Sequence, residues 1–207
     1  MTAKLNTRSN SSRDRILKCA EAIILRKGFA STSIDEILEQ AAITKGGFFY
    51  HFDGKVGLAK ALVERYLEHD KSIFAELFAQ ADELSEDPLH QMLIFLKLWS
   101  DMMRNLPEIH PGCLAASFTY ESQQLNDEVR GLTRQGFIVW RQTISEHLNR
   151  IVEKYPPKSD VSTETLANMF TSVIEGGIIL SKAFQDNNLL IEQILSYRNY
   201  LRVLFET

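Results

Sequence analysis

Apolar residues recur at three- and four-residue spacing along almost the whole chain, the pattern of helices that each bury one face. After a polar opening stretch, residues 1–10 with Lys4 and Arg8, Ser11 and Asp14 resemble a capping box. Ile16, Ala20, Ile23 and Ile24 then follow on one face until Gly28 stops the helix. Ser33 and Glu36 repeat the start signal for a helix of about two turns carrying Ile34, Ile37, Leu38 and Ala41. Thr44 opens a third short helix, Lys45 to Phe52, which the Asp53-Gly54 turn ends. Lys55 to about Leu84 reads as one or two helices, and Pro88 fits the first turn of the next, with Leu89, Leu93, Leu96 and Met103 on its apolar side. Two prolines and a glycine force Leu106–Gly112 into a loop. A short helix from Cys113 to about Ser122 and a long one from Leu125 to about Lys154 follow, the second ended by Pro156-Pro157. Patterns over about Val161–Phe184 and Leu189–Phe205 complete the chain. No stretch alternates like a strand and no segment repeats. The expected fold is all-α with about nine helices: a flexible arm over 1–10, a three-helix domain over 11–54 and a larger helical domain over 55–207.

Composition narrows the function classes. The 207 residues are 44% apolar and 24% charged, ordinary for a protein with a core. The longest uninterrupted apolar run, Met92–Leu96, is five residues, far short of the ~20 that cross a bilayer. The opening MTAKLNTRSNSS lacks the apolar centre of a signal peptide. Two cysteines, Cys19 and Cys113, cannot build a disulfide framework or a four-cysteine zinc site. A soluble, cytoplasmic protein without membrane association is expected. There is no P-loop, dinucleotide fingerprint or metal-ligand spacing, so neither cofactor nor metal is expected. The acidic stretch Gln80–Asp87 reads as a solvated helix end, and Cys19 as a structural residue of the first helix.

Charge is unevenly placed. Residues 1–60 carry ten Lys and Arg against six Asp and Glu, a balance of +4, whereas the rest carries thirteen against twenty-one, or −8. A basic end on an acidic body points to a polyanion partner for the first part only.

Inside those first residues, three short helices with a tight turn at Gln40–Ile43 read as helix-turn-helix, whose second element lies in the DNA major groove. Phe48 and Phe52 are four apart and can enter the core, which places Gly46, Gly47, Tyr50 and His51 on the opposite side. Each Gly costs a helix roughly 1 kcal/mol against Ala. Close approach of the backbone to DNA accounts for the Gly46-Gly47 pair, with a late helix start or tight packing as the alternative. Thr32 and Ser33 at the start of the second helix, and Thr44 at the start of the third, suit phosphate oxygens. Lys45 and Lys55 bracket the third helix with positive charge, and Tyr50 and His51 offer hydrogen-bond donors.

The order and spacing in Gly28-Phe-Ala-Ser-Thr-Ser-Ile-Asp-Glu-Ile37 and Ala42-Ile-Thr-Lys-Gly-Gly-Phe-Phe-Tyr-His-Phe-Asp-Gly-Lys55 resemble the DNA-binding domain of TetR-family transcriptional regulators. The resemblance covers residues 13–60. It implies a homodimeric, ligand-responsive repressor released from a palindromic operator by a small-molecule effector, with a C-terminal domain for effector binding and dimerisation. The family often has Tyr where this chain has Phe49, a hydroxyl that commonly touches phosphate, so Phe49 is not expected to make that contact. It often has Thr or Ala at the position of Gly47, so fewer side-chain base contacts are implied there. Glu175–Lys182 and Tyr197–Leu201 resemble the last two helices of one branch, which pair across a four-helix dimer interface.

Several further residues are candidates. Val173, Ile174, Gly177, Ile178, Ser181 and Phe184 follow helical spacing along one stripe, and Gly176 with Gly177 would let two backbones approach across a dimer. Packing within one subunit is the alternative. The proline-rich loop makes an effector pocket near His110 and Cys113 plausible, with Trp99, Met103, Phe137 and Trp140 as apolar lining, and a largely hydrophobic ligand fits such walls. His110-Pro-Gly-Cys113 also allows a redox- or electrophile-sensing regulator through Cys113, because a helix N-terminus favours thiolate. A Cys/His-dependent helical enzyme is a weaker alternative, with no orienting group or oxyanion loop in evidence. The expectation is therefore a regulator and not an enzyme.

Overall fold

The computed structural model describes residues 2–205, and nine α-helices with one 3-10 turn make up their regular structure. In chain order these are α1 (Thr2–Lys27), α2 (Ile34–Ala41), α3 (Lys45–His51), α4 (Gly54–Leu84), α5 (Pro88–Arg104), α6 (Leu114–Tyr120), the 3-10 turn Ser122–Gln124, α7 (Asp127–Lys154), α8 (Thr163–Phe184) and α9 (Asn188–Phe205). The all-α expectation holds, and most boundaries fall within two residues of those read from the sequence. The difference lies at the start. The first helix begins at Thr2 and takes in the backbone of the expected arm, since no Pro or Gly interrupts residues 2–27. The side chains of 2–10, Lys4 and Arg8 among them, lie outside the described residues.

Local chemistry explains the starts. Ser33, Thr44, Asp87 and Ser162 each sit in extended backbone and accept the N–H three residues on, at 3.2, 3.2, 3.0 and 3.0 Å. Such caps satisfy one of the four amides that a helix start leaves unpaired. Pro88 takes the first position of α5, where no amide partner is needed.

The chain divides into two compact units. One comprises residues 1–68 and 113–135: α1 to α3, the first part of α4, α6, the 3-10 turn and the start of α7. Its core joins Leu17, Ile24, Ile37 and Phe48 to Leu58 and Leu62 of α4, Leu114 and Phe118 of α6, and Val129 of α7. Cys19 packs half-buried against this core. Burying each such side chain contributes roughly 1.5–3 kcal/mol, so the α4 and α6 residues belong to this unit energetically. The division expected after residue 54 therefore does not coincide with the compact units. Helix α6 lies far along the chain, and no local pattern reveals that its apolar face completes this core. An Arg65–Glu21 ion pair ties α4 to α1, and Lys60–Glu128 ties α4 to α7.

The other unit comprises residues 69–112 and 136–207. Within it α9 packs against both α5 and α8. Phe74, Phe95, Trp99, Phe170 and Tyr197 form a chain of ring contacts with centroids 5.1–6.3 Å apart. Tyr197 donates to the Leu166 carbonyl at 2.9 Å, and its burial raises the phenol pKa. Asp87 is more than a solvated helix end. Burial alone would raise its pKa, but hydrogen bonds from Lys154 and Tyr155, at 2.7 and 2.6 Å, outweigh this and hold the carboxyl well below its usual range.

Candidate nucleic-acid interface

Helix α2 ends at Ala42 in the left-handed conformation (φ 52°), and the Ile43 amide returns to the Leu38 carbonyl at 3.0 Å. An L-residue pays about 1–2 kcal/mol there, so the surrounding fold must enforce this sharp reversal. Thr44 then caps α3 by accepting the Gly47 amide, and Phe48 and Phe52 turn inward and are buried. On the other side Phe49 and Tyr50 face out, Tyr50 with 76% of its surface exposed. Of the four residues expected opposite the phenylalanines, Gly46 and Tyr50 are exposed, whereas Gly47 and His51 are half-buried.

The glycine pair separates into two cases. A Cβ on Gly47 would lie 3.0 Å from Ile43 Cγ2 and 3.3 Å from Thr44 Oγ1, so the turn itself favours Gly there. A Cβ on Gly46 would meet nothing within 4 Å. Packing within the chain does not explain Gly46, which leaves its bare backbone facing outward beside exposed Lys45.

The other candidate groups have distinct surroundings. Ser33 and Thr44 are exposed caps whose hydroxyls accept the Glu36 and Gly47 amides. Thr32 is only 2% exposed, and its hydroxyl donates to the Gly28 carbonyl at 2.7 Å, so it serves the α1–α2 turn instead of offering a free surface group. Lys55 Nζ donates to the Ala30 carbonyl at 3.2 Å and lies 4.4 Å over the Phe29 ring. Burial pushes its pKa down, nearby Glu121 opposes this, and Lys27 adds to it. His51 is held below its ordinary value, first by burial and then by Arg13, so at neutral pH it offers a neutral imidazole. Lys27 and Arg26 both pair with Glu36, at 2.5 and 3.5 Å. The hydrogen bond from Lys27 is the chief cause of the lowered Glu36 pKa.

Two residues escaped the sequence reading. Arg13 lies 5.5 Å from the Phe52 ring centroid at the edge of α3, and its only signal is membership of the basic first segment. Glu121, just after α6, accepts the amides of Phe29 and Ala30 at 2.8 and 2.6 Å. It lies about ninety residues from its partners, and nothing local announces it.

The remaining candidates fall as follows. Trp99, Met103, His110, Phe137 and Trp140 lie in the second unit, whereas Cys113 belongs to the first. Trp99 and Trp140 both contact Phe74, and Phe137 meets Trp140 edge-on at 6.0 Å. His110 Nδ1 accepts the Gly112 amide at 3.2 Å, and its pKa is lowered by burial and then by Lys182. Cys113 is buried, and its sulfur lies 3.3 Å from both the Tyr66 hydroxyl and the Ala116 amide, so it caps α6.

The proposed dimer stripe needs correction. Ile174, Gly177, Ile178 and Ser181 are buried within the chain, and Ser181 Oγ accepts the Leu190 amide at 3.0 Å. Gly177 sits directly against Leu190 of α9, which was the intrachain alternative. Val173 is half-buried, and only Phe184 of the six stands well out, at 70% exposed. The periodicity found a buried stripe, but its partner is α9 of the same chain. Among the described residues no helix is long and apolar enough to cross a membrane, and no group of three or more His, Cys, Asp or Glu could hold a metal.

Comparison with known proteins agrees with this geometry. The family model for bacterial regulatory proteins of the tetR family matches residues 16–62, and that for the tetracyclin repressor-like C-terminal domain matches residues 88–194. An HTH-type transcriptional regulator in the lacX 3′ region of Lactococcus lactis subsp. lactis is 26% identical over 87% of this chain and 88% of its own length. The HTH-type transcriptional regulator LmrA of Bacillus subtilis is 25% identical over 87% of this chain and 91% of its own. Among solved structures, a TetR-family transcriptional regulator from Agrobacterium tumefaciens superposes with TM-score 0.78 at 24% identity, covering 95% of this chain and 99% of that one. A TetR regulator from Chloroflexus aurantiacus gives TM-score 0.79 at 22% identity over 96% and 98%. These relatives are regulators and not enzymes, which sets aside a Cys/His-dependent activity. With both family models matched and a helix-turn-helix in place, the chain belongs to the TetR family and is a DNA-binding transcriptional regulator.

Proposed function

We propose that this regulator is a homodimeric, cytoplasmic repressor, released from a palindromic operator when a small molecule binds its second unit. The observation that carries the dimer is an outward apolar face on the last two helices: Met169, Ile179, Leu180 and Phe184 on α8, with Tyr200 and Val203 on α9. Apolar side chains grouped in this way mark an interaction surface. Gly176 lies on the same side of α8, with open space where a Cβ would stand. It replaces Gly177 as the position where two helices of a dimer could come close.

On each protomer Ser33, Thr44, Lys45, Gly46 and Tyr50 would meet DNA, with Arg13, His51 and Lys55 beside them. A two-fold dimer then reads two half-sites in nearby major grooves. The aromatic residues around Phe74 and Trp99 favour a largely hydrophobic effector in the second unit. Binding there lowers DNA affinity by reciprocal coupling. Burial of Cys113 and its cap to α6 favour a structural cysteine over a sensor.

The test has two arms. Sedimentation at micromolar concentration should give a dimer, and a monomer would overturn the assembly. Sequencing of duplex fragments retained by the purified protein should yield an inverted repeat, and retention without sequence preference would overturn operator recognition. Hydrophobic compounds can then be screened for release of the selected duplex.

A further inference from the structure

Ser33 and Thr44 cap α2 and α3 locally, but the turn that leads into α2 is held from a distance as well. The turn after α1 begins with Gly28 at φ 89°, continues through Phe29 and Ala30, and delivers Ser33 to the start of α2. Four groups fix it. Thr32 donates to the Gly28 carbonyl, Lys55 donates to the Ala30 carbonyl, Phe118 meets Phe29 edge-on at 5.3 Å, and Glu121 receives two consecutive amides. The first two come from the helix-turn-helix and its flank. Phe118 and Glu121 come from α6 and its C-terminal end, and they follow in the chain directly after the segment 69–112 of the other unit.

The place of Glu121 is costly for an acid. It stands at the C-terminal end of α6, where the helix dipole disfavours negative charge. Its carboxylate is oriented by two charge-assisted bonds to backbone amides, which are stronger than neutral ones. The match to the turn is close: a Cβ added to Gly28 would lie 2.5 Å from Glu121 Oε1. We infer that Glu121 is a positioning residue for DNA binding, its carboxylate gripping the Phe29 and Ala30 amides so that the α1–α2 turn presents Ser33 and the start of α2 in register with α3 and Lys55. The inference rests on α2 and α3 being the DNA-facing helices.

Electrostatics alone makes the opposite prediction, and this gives the test its force. Removing a negative charge beside Lys55 should tighten binding to a polyanion. Loss of positioning should weaken it. The experiment takes Glu121→Gln and Glu121→Ala in the full chain. It measures amide exchange without DNA, affinity for the duplex selected by the wild-type protein, and the urea midpoint. Glu121→Ala should speed exchange at Phe29 and Ala30 about tenfold or more while the Leu62 amide in α4 is unchanged, since a bond to a charged group contributes enough for such a factor. Operator affinity should fall about tenfold, and Glu121→Gln, which keeps one acceptor, should lie between the two. Gly28→Ala is strained by its positive φ in either background, so only a smaller cost of Gly28→Ala in the Glu121→Ala background than in wild type reports the contact with the carboxylate.

Unchanged exchange at Phe29 and Ala30 would overturn the grip. Faster exchange with equal or tighter operator binding would overturn the positioning role. If Leu62 exchanges as fast as the turn, Glu121 serves folding and the inference also falls. Because exchange is read without DNA, failure of the DNA-facing assignment shows separately, as wild-type protein that gains no protection in α2 and α3 when duplex is added.

Discussion

A side chain on Gly177 would place its Cβ 2.9 Å from Leu190 Cδ1 and 3.1 Å from Leu190 Cα, so α8 and α9 meet here backbone to backbone. The neighbour at 3.1 Å is main chain and cannot swing aside. Beside it Gly176 has open space on its outer side. Two adjacent glycines on one helix therefore answer to different partners.

Gly177→Ala should cost about 1–3 kcal/mol of stability through overpacking, read as a lower urea midpoint with unchanged slope. Gly176→Ala meets nothing within the chain and should instead gain up to ~1 kcal/mol in helix propensity. If α8 pairs across a dimer, the same variant weakens association in sedimentation. Equal effects of the two substitutions on the urea midpoint would contradict the packing described.

The glycines of α3 divide similarly. Gly46→Ala should stabilise the free protein by up to ~1 kcal/mol, because a methyl there touches nothing. It should nevertheless lower affinity for the selected duplex, as the methyl stands between helix backbone and DNA. Gly47→Ala, crowded by Ile43 and Thr44, should lose the propensity gain even without DNA. Tighter duplex binding by Gly46→Ala would show that α3 does not approach DNA by its first turn.

Acid should destabilise the second unit through His147. Phe78 is sandwiched between His147 and Phe95 in near-parallel stacks, 3.5 and 3.9 Å between centroids. Burial, then the neighbouring Arg150, lowers the His147 pKa from 6.5 to about 4, with Asp82 opposing. Between those values the unfolded chain holds a proton that the native chain does not. Stability is thus complete above 6.5, falls as the pH drops towards 4 and then levels, with a slope of at most ~1.4 kcal/mol per pH unit from this group. His51 and His110, whose pKa values are also lowered by burial, act in the same direction. His147→Phe should flatten the dependence between pH 6.5 and 4 in urea titrations, and an unchanged profile would discount the shift.

The helices were legible because caps and apolar spacing are local properties. Ser33, Thr44 and Pro88 each act within three residues, and the structure uses them as the pattern predicts. What was hidden depends on distant chain. Phe118 and Glu121 carry no mark that their partner is Phe29, and the buried stripe of α8 shows spacing without saying which helix covers it. Spacing cannot distinguish Leu190 of the same chain from a second copy. Thr32 shows the same limit at short range: its position at a helix start suggested a phosphate ligand, but its hydroxyl turns back to the Gly28 carbonyl.

Lys45 and Lys55 should part company in salt titrations. Lys45 is exposed at the first turn of α3, so Lys45→Ala should leave stability within ~0.5 kcal/mol. If it neutralises one phosphate per protomer, the slope of log affinity against log salt should fall by about 0.9 for each site lost. Lys55 already bonds the Ala30 carbonyl, covers the Phe29 ring and feels Glu121. Lys55→Ala should therefore lower stability by about 1 kcal/mol, from the lost cation–π and hydrogen-bond contacts at a partly exposed site. Its effect on the salt slope should be the smaller of the two, because loss of the turn weakens binding without removing a full counterion-releasing contact. A larger slope change for Lys55→Ala than for Lys45→Ala, with stability unaltered, would make Lys55 the phosphate ligand and reverse these assignments.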